Sequence, residues 1–263
     1  GTASAVRPTE GGLFSFDAED VVEYWDEPTG QIRVFYSIDG PSVTRLNDDD
    51  ADGIPDFAQD VALTAAEVLA FYEDDRGLRR PLGEEEMGLE PLGGSYALDV
   101  YLVDFDGNGD GSFGLDTCID APRHCSGYLS IDNYPGGYPS LQNAIDVLTS
   151  HELFHGIQNA YDSEQESWFS EGTATWGELQ WDPDSVDFLW FADEYLEDTG
   201  RSLDRPPSGP VPSFAYGTCL WWDFLTTRHD VSLMNTLLEA TETPTGTGVD
   251  TLEEMQAAIV ARG

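Results

Sequence analysis

The segment at residues 151–155 reads HELFH, which combines two potential metal ligands with a potential general base. Residues four apart lie one above the other on one face of an α-helix, so both imidazoles can reach a single Zn²⁺ ion. The glutamate between them flanks the coordination position that stays open, where a carboxylate can accept a proton from water. We therefore expect His151 and His155 to bind zinc and Glu152 to act as the general base, with a solvated helix face as the alternative.

A catalytic zinc ion usually binds three protein side chains and a water molecule, so a third ligand is required. A histidine six residues after His155 is absent, because Tyr161 occupies that position. The preferred candidate is Glu171, near the start of the next predicted helix, where Gly172 would let that helix approach the first closely. The competing carboxylates are Asp162, Glu164 and Glu166 in a polar connection that we expect to be exposed, and Glu178, for which an ordinary surface charge is the alternative.

Two acidic segments carry carboxylates at alternating positions, the spacing that wraps oxygen ligands around Ca²⁺. The first has glycine at its sixth position, but Gln59 stands where an EF-hand loop has its final glutamate. A solvated acidic turn is the alternative for both segments, especially for the second, which is rich in glycine. The candidate calcium ligands are Asp48, Asp50, Asp52, Ile54 and Asp56 in the first loop, and Asp104, Asp106, Asn108, Asp110 and Asp116 in the second.

The charge balance is strongly acidic, with 51 Asp and Glu against 11 Lys and Arg and a formal net charge of −40. Such a surface repels nucleic-acid phosphates and anionic lipids, which argues against nucleic acid as a partner. We attribute the clustered aspartates to cation binding and the scattered remainder to adaptation to salt, and part of the charge to a preference for cationic or neutral substrates. No run of 18 apolar residues occurs, so no membrane span is expected.

The chain contains three cysteines, and a disulfide between two of them would suit an oxidising compartment. Cys118 and Cys125 lie close together in a stretch with Gly, Asp and Pro, which favours a disulfide that closes a local loop. Cys219 stands in an apolar run and is expected to be a buried free thiol. The chain begins Gly1-Thr2 without an apolar leader, which we interpret as the start of a mature secreted chain.

The elements that must position these residues follow the order strands first, helices after. This order predicts the α+β class, with an antiparallel or mixed sheet on one side of a cleft and a helical lobe on the other. We expect a loose N-terminal arm at 1–20, an α+β lobe with the acidic loops at 21–139 and a helical lobe at 140–263, together one catalytic domain. The predicted strands are 21–25, 32–37, 97–103 and 127–131, and the predicted helices are 57–72, 141–160, 170–180, 185–197, 214–228, 231–240 and 250–261.

The motif HELFHGIQNAYD followed by SWFSEGTATW resembles the gluzincin type of zinc peptidase, and more narrowly secreted bacterial and myxobacterial metalloproteases. The segments NDDDADGIPDF, YALDVYLVDF and GYLSIDN resemble the same group, so the resemblance covers about residues 30 to 228. It implies a zincin-like fold with the active-site helix between the two lobes. It also implies a secreted peptidase that acts on peptide or protein substrates.

The resemblance further implies a hydrogen-bond donor for the oxyanion that forms during peptide hydrolysis. Tyr216 is the candidate and His229 the runner-up; the alternatives are a core aromatic residue and a surface helix end. An edge strand that pairs with extended substrate is also implied, for which residues 127–133 are the candidate unless they only complete the sheet. The competing hypothesis for the whole chain is a calcium-dependent extracellular binding or adhesion module with a structural or degenerate zinc site.

Overall fold

The computed structural model describes residues 6–12, 14–119, 123–209, 212–242 and 252–262, and it has the α+β class expected from the sequence. None of the helices in these ranges is both long and apolar enough to span a membrane. The strands are β1 (Val22–Asp26), β2 (Ile32–Ser37), β3 (Leu98–Val103), β4 (Gly111–Cys118) and β5 (Cys125–Asp132). The helices are α1 (Asp56–Ala70), α2 (Leu141–Asn159), α3 (Ser167–Trp181), α4 (Leu189–Glu197), α5 (Ser213–Gly217), α6 (Cys219–Arg228), α7 (Leu233–Thr241) and α8 (Leu252–Arg262).

The five strands form one mixed sheet in the order β1-β2-β3-β5-β4. Strands β2, β3 and β5 run parallel to one another, while β1 and β4 pair antiparallel at the two edges. Helix α1 connects β2 to β3, because parallel strands need a crossover connection. Strand β5 is an interior strand, so the prediction that residues 127–133 form the edge strand was wrong. The edge on that side is β4.

Strand β4 was expected to be part of an acidic loop, because its sequence GSFGLDTC lacks a clear alternating pattern. Close contacts across the hairpin require a glycine in each of its strands, Gly114 in β4 and Gly127 in β5. A Cβ atom at Gly114 would lie 2.4 Å from Cζ of Tyr128, and one at Gly127 would lie 2.1 Å from the carbonyl oxygen of Gly114. The predicted Cys118–Cys125 disulfide closes this hairpin and is confirmed, as is the buried free thiol at Cys219.

One hydrophobic cluster runs through both predicted lobes. It joins Val100 of the sheet to Phe154 of α2, Trp176 of α3 and Leu237 of α7. Helix α2 is buried on nearly all sides, which is the expected environment of a helix that is apolar around most of its circumference. The core therefore fixes the helix that carries the HELFH motif in the middle of the molecule.

The N-terminal segment is not a loose arm where it is described. Arg7 is only 3% exposed, and its guanidinium pairs with Asp116 of β4, Asp99 of β3 and Glu84. The Nε atom of Arg7 donates to Oδ1 of Asp116 at 3.1 Å. A buried cation held by several carboxylates anchors residues 6–12 to the sheet, whereas residues 1–5 and 13 lie outside the described ranges.

The single helix predicted at 214–228 is two helices, α5 and α6, separated at Thr218. The Thr218 hydroxyl donates to the carbonyl oxygen of Trp168 at 2.7 Å, which ties this break to the start of α3. Gly172 was expected to let α3 approach α2, but it makes room for Thr218 instead. A Cβ atom at position 172 would lie 1.8 Å from Oγ1 of Thr218. Gly177 permits the close packing of α3 on α2, since its Cβ would lie 2.7 Å from Cδ2 of Phe154.

Candidate metal centre

The HELFH segment lies in the second half of α2 and faces an open cavity of about 370 Å³. Helix α2 begins at the N-cap Ser140, whose hydroxyl oxygen accepts a hydrogen bond from the backbone N–H of Asn143 at 3.1 Å. The cavity is walled by strand β4, helix α2, the connection that follows it, and helices α3 and α5. Its lining includes His151, Glu152, His155, Glu171 and Tyr216, together with Gly111, Ser112, Phe113 and Leu115 of β4.

The three predicted zinc ligands converge on one point of this cavity. The Nε2 atoms of His151 and His155 lie 3.1 Å apart. Oε2 of Glu171 lies 3.3 Å from Nε2 of His151 and 3.4 Å from Nε2 of His155. Ligands bound at 2.0–2.1 Å to a tetrahedral ion are about 3.3–3.4 Å from one another. The three atoms are thus spaced like three corners of a tetrahedral zinc site.

Glu178 fixes the orientation of the His151 ring. Its Oε1 lies 2.5 Å from Nδ1 of His151, and its side chain is buried in the interface between α2 and α3. A carboxylate accepts hydrogen bonds, so this contact assigns the His151 proton to Nδ1 and leaves a lone pair on Nε2. Glu178, considered from the sequence as a competing ligand or a surface charge, is instead a buried hydrogen-bond partner of His151.

Gln158 does the same for His155. Its Oε1 lies 2.7 Å from Nδ1 of His155. The orientation of the amide is set by its own Nε2, which donates to the carbonyl oxygen of Ser170 and to Oγ1 of Thr173, both at 2.7 Å. Both rings therefore direct Nε2 lone pairs toward the carboxylate of Glu171. Three electron-rich atoms so close together repel one another unless a proton or a metal cation lies between them.

The electrostatics of the cluster favour positive charge at this point. Burial lowers the pKa of His151, but hydrogen bonds to Glu171 and Glu178 outweigh burial and raise the pKa well above its usual value. Burial raises the pKa of Glu171, but the two imidazoles outweigh it and hold that pKa far below its usual range. Burial raises the pKa of Glu178 to about 7, against its hydrogen bond with His151. A divalent cation would supply the charge that these groups stabilise.

Glu152 borders the cavity beside the three converging atoms. It is 5% exposed, its pKa is raised by burial, and its Oε2 has no hydrogen-bond partner among the described residues. Strand β4 passes directly over it, because a Cβ atom at Gly111 would lie only 2.6 Å from Oε1 of Glu152. Glycine at position 111 leaves room for this carboxylate in the wall of the cavity.

Of the two predicted oxyanion donors, only Tyr216 lines the cavity. Its ring stacks on that of His151 with centroids 5.8 Å apart. Burial and the charge of Glu171 raise its pKa, so the hydroxyl keeps its proton and can donate. His229 is the exposed C-cap of α6 and does not line the cavity, so its assignment to the site was wrong. The polar residues that surround it mark the surface end of a helix.

Sequence reasoning missed two residues that hold the histidine rings, although helical spacing carries a signal for both. Gln158 follows His155 by three residues and Glu178 follows Glu171 by seven, so each pair shares one face of its helix. Gly111 was missed because the strand that contains it was not predicted.

The first acidic loop brings part of its predicted ligand set together. Carboxylate oxygens of Asp48, Asp50 and Asp56 lie within 4.8 Å of one another. Asp52 is not part of this group; its carboxylate accepts from the backbone N–H of Ile54 and from Nε2 of Gln59, both at 2.8 Å. These three aspartates and the His151, His155 and Glu171 group are the sets of three metal-ligating side chains found in the described part of the chain.

The second acidic loop does not form such a group within the described residues. Asp104 accepts from the backbone N–H of Asp106 at 2.7 Å, and Asp110 accepts from the Tyr138 hydroxyl at 3.3 Å. Asn108 donates its amide to nearby backbone carbonyls. The assignment of Asp116 to this loop was wrong, since it lies in β4 and pairs with Arg7.

No protein-family model matches the chain and no curated protein matches it, so the interpretation of this centre rests on its own geometry.

Proposed function

We propose that the chain is a secreted zinc-dependent peptidase with a zincin-like architecture. The observation that carries this proposal is the convergence of His151, His155 and Glu171 on one point of an open cavity, beside the unpartnered carboxylate of Glu152. Two imidazole nitrogens and one carboxylate oxygen, with a coordination position left open, are a donor set typical of catalytic zinc. The substrate is a peptide or protein.

The residues of the centre divide the work of hydrolysis among them. Zinc bound by His151, His155 and Glu171 would lower the pKa of water and polarise the scissile carbonyl. Glu152, which lines the cavity, accepts the proton of the attacking water on its carboxylate and passes it to the leaving amine. The Tyr216 hydroxyl donates to the developing oxyanion.

Strand β4 is the proposed binding edge for the substrate backbone. It lies at the edge of the sheet, and four of its residues line the cavity: Gly111, Ser112, Phe113 and Leu115. An extended peptide can add to such an edge through main-chain hydrogen bonds, which would hold its scissile bond against α2. This role replaces the one expected for residues 127–133.

Metal analysis combined with a peptidase assay tests the proposal. Purified protein is expected to contain about one zinc ion per chain and to hydrolyse members of a fluorogenic peptide library. A zinc chelator should abolish hydrolysis and added zinc should restore it. Bound calcium without zinc, and no hydrolysis by zinc-loaded protein, would contradict the proposal and favour the calcium-dependent binding or adhesion module.

The substitution Glu178→Gln is expected to weaken zinc binding by about 10–100-fold, because it removes the charge that orients and polarises His151 while keeping the size of the side chain. Zinc affinity is measured by competition with a chromophoric chelator. Glu67→Gln, on the exposed face of α1, is the matched control and should leave the affinity unchanged. Equal affinities for both variants would mean that Glu178 only fills space.

Calcium binding by the first acidic loop stays a prediction that thermal unfolding can test. A ligand at about 100 times its Kd stabilises the folded state by about 2.7 kcal/mol, which raises the Tm of a chain of this size by about 5–10 °C. We expect calcium, and not magnesium, to produce this rise in zinc-loaded protein stripped of other metals. Asp50→Asn should remove the rise. An unchanged Tm in wild-type protein would exclude calcium from this loop.

A further inference from the structure

A buried carboxylate, Asp162, lies in the wall of the same cavity, in the connection between α2 and α3. The sequence suggested an exposed position, but Asp162 is only 6% exposed. Its Oδ1 accepts from the backbone N–H of Glu164 at 2.9 Å, and among the described residues no other donor binds the carboxylate. Burial raises its pKa, in keeping with a charge that has few partners. The chain thus keeps a poorly compensated acid beside the candidate centre.

The neighbouring wall of the cavity also offers hydrogen-bond acceptors. Asn159 uses its side-chain N–H to bind the carbonyl oxygen of His155 at 2.8 Å. Gln165 donates to Oγ1 of Thr241 at 3.2 Å, while none of the described residues donates to its buried Oε1. Helix α2 ends at Asn159, and the C-terminal end of a helix adds partial negative charge. No arginine lines the cavity, and the chain contains no lysine.

Two basic residues lie close enough to Asp162 to act on its carboxylate, and each has another carboxylate as a neighbour. Arg123 binds Glu164 at 3.1 Å, and Nε2 of His124 lies 3.3 Å from Glu242. Neither lines the cavity, so neither fills the space in front of Asp162.

The wall around Asp162 is held in place by the disulfide-closed hairpin. The backbone N–H of Ser163 donates to the carbonyl oxygen of Arg123 at 2.8 Å. The Ser163 hydroxyl lies 3.1 Å from Sγ of Cys125, which is bonded to Cys118. A carboxylate held in this way keeps its position before a ligand arrives, which reduces the cost of binding.

We propose that Asp162 forms the base of a subsite that binds the cationic side chain of an arginine or lysine in a peptide substrate. Guanidinium and ammonium groups are pure donors, and they fit a cavity wall made of acceptors and one buried carboxylate. This inference rests on the proposed peptidase function, because it assigns the substrate class to the same cavity. It makes Asp162 a determinant of specificity.

Equilibrium binding of two matched peptides to zinc-loaded Glu152→Gln protein tests the subsite without a need for turnover. The peptides are identical except that one contains arginine and the other citrulline, its neutral analogue. The arginine peptide is expected to bind about tenfold more tightly. Adding Asp162→Asn should bring the two affinities within about twofold, whereas adding Glu164→Gln, which removes an exposed charge two residues away, should preserve the tenfold ratio.

The outcomes separate the subsite from the proposed function. A ratio near one in the variant with Asp162 intact overturns the subsite, and cleavage of both peptides by wild-type protein then leaves the peptidase proposal standing. A ratio that persists in the Asp162→Asn variant assigns the preference to the acidic surface as a whole and also overturns the subsite. Failure of wild-type protein to bind or cleave either peptide overturns both proposals.

Discussion

Glu152→Gln protein is expected to hydrolyse peptides about 10²–10⁴-fold more slowly than wild-type protein, as measured by kcat/KM. Glutamine has the size of glutamate, but it cannot accept the proton of the attacking water. Glu152 is not one of the three converging ligand atoms, so the variant should still bind about one zinc ion. Loss of activity with retained zinc is therefore the specific result that a general base requires.

The stability of this variant provides an independent check that it folds. The Glu152 carboxylate is buried and its Oε2 lacks a partner, so the ionised side chain is costly to the folded state. We expect Glu152→Gln to have a Tm equal to or higher than that of wild-type protein, with Glu67→Gln as the control for loss of a surface charge. A variant that keeps full activity would show that Glu152 is not the base.

The proximity of His151 and His155 could be predicted because it is local: one helical turn relates the two residues. Glu171 lies on a different helix, so periodicity could not place it beside them; it was selected as the carboxylate nearest the start of the next predicted helix, and the structure brings it to the same point of the cavity. The same reasoning put Tyr216 near the centre through the resemblance to gluzincins. The resemblance also offered His229 as a second candidate donor. This residue follows the last residue of α6 at the surface and does not line the cavity.

The features that escaped prediction depend on contacts between distant parts of the chain. Strand β4 has glycines where a strand usually has β-branched residues, and they are explained by Glu152 and Tyr128, which fill the space of the missing side chains. Asp162 looks like a loop residue until the hairpin from β4 to β5 covers it. Arg7 meets partners 92 and 109 residues away, a separation that no local pattern encodes.

The second prediction of large effect concerns that arginine. Arg7→Met is expected to lower the free energy of unfolding by about 3–5 kcal/mol at neutral pH, because it leaves Glu84, Asp99 and Asp116 buried without their shared cation. Arg80→Met is the matched control, since the side chain of Arg80 is 45% exposed and its Nε lies 3.8 Å from Oε2 of Glu73. Loss of that surface pair should cost less than about 1 kcal/mol. Urea unfolding of the three proteins measures both differences.

The pH dependence of the Arg7→Met effect distinguishes an electrostatic origin from lost packing. Burial raises the pKa of Asp99 to about 7 in the folded protein, even though Arg7 opposes the rise. Because this folded value exceeds the unfolded value of about 4, the contribution of Asp99 to stability is full below about pH 4 and is lost as the pH rises toward 7. Without Arg7 the folded pKa of Asp99 rises further, so the variant loses stability over a wider range. The penalty of Arg7→Met should therefore be larger at pH 8 than at pH 5, where Asp99 is protonated and no longer needs a cation. Equal penalties at both pH values would mean that Arg7 acts through packing alone.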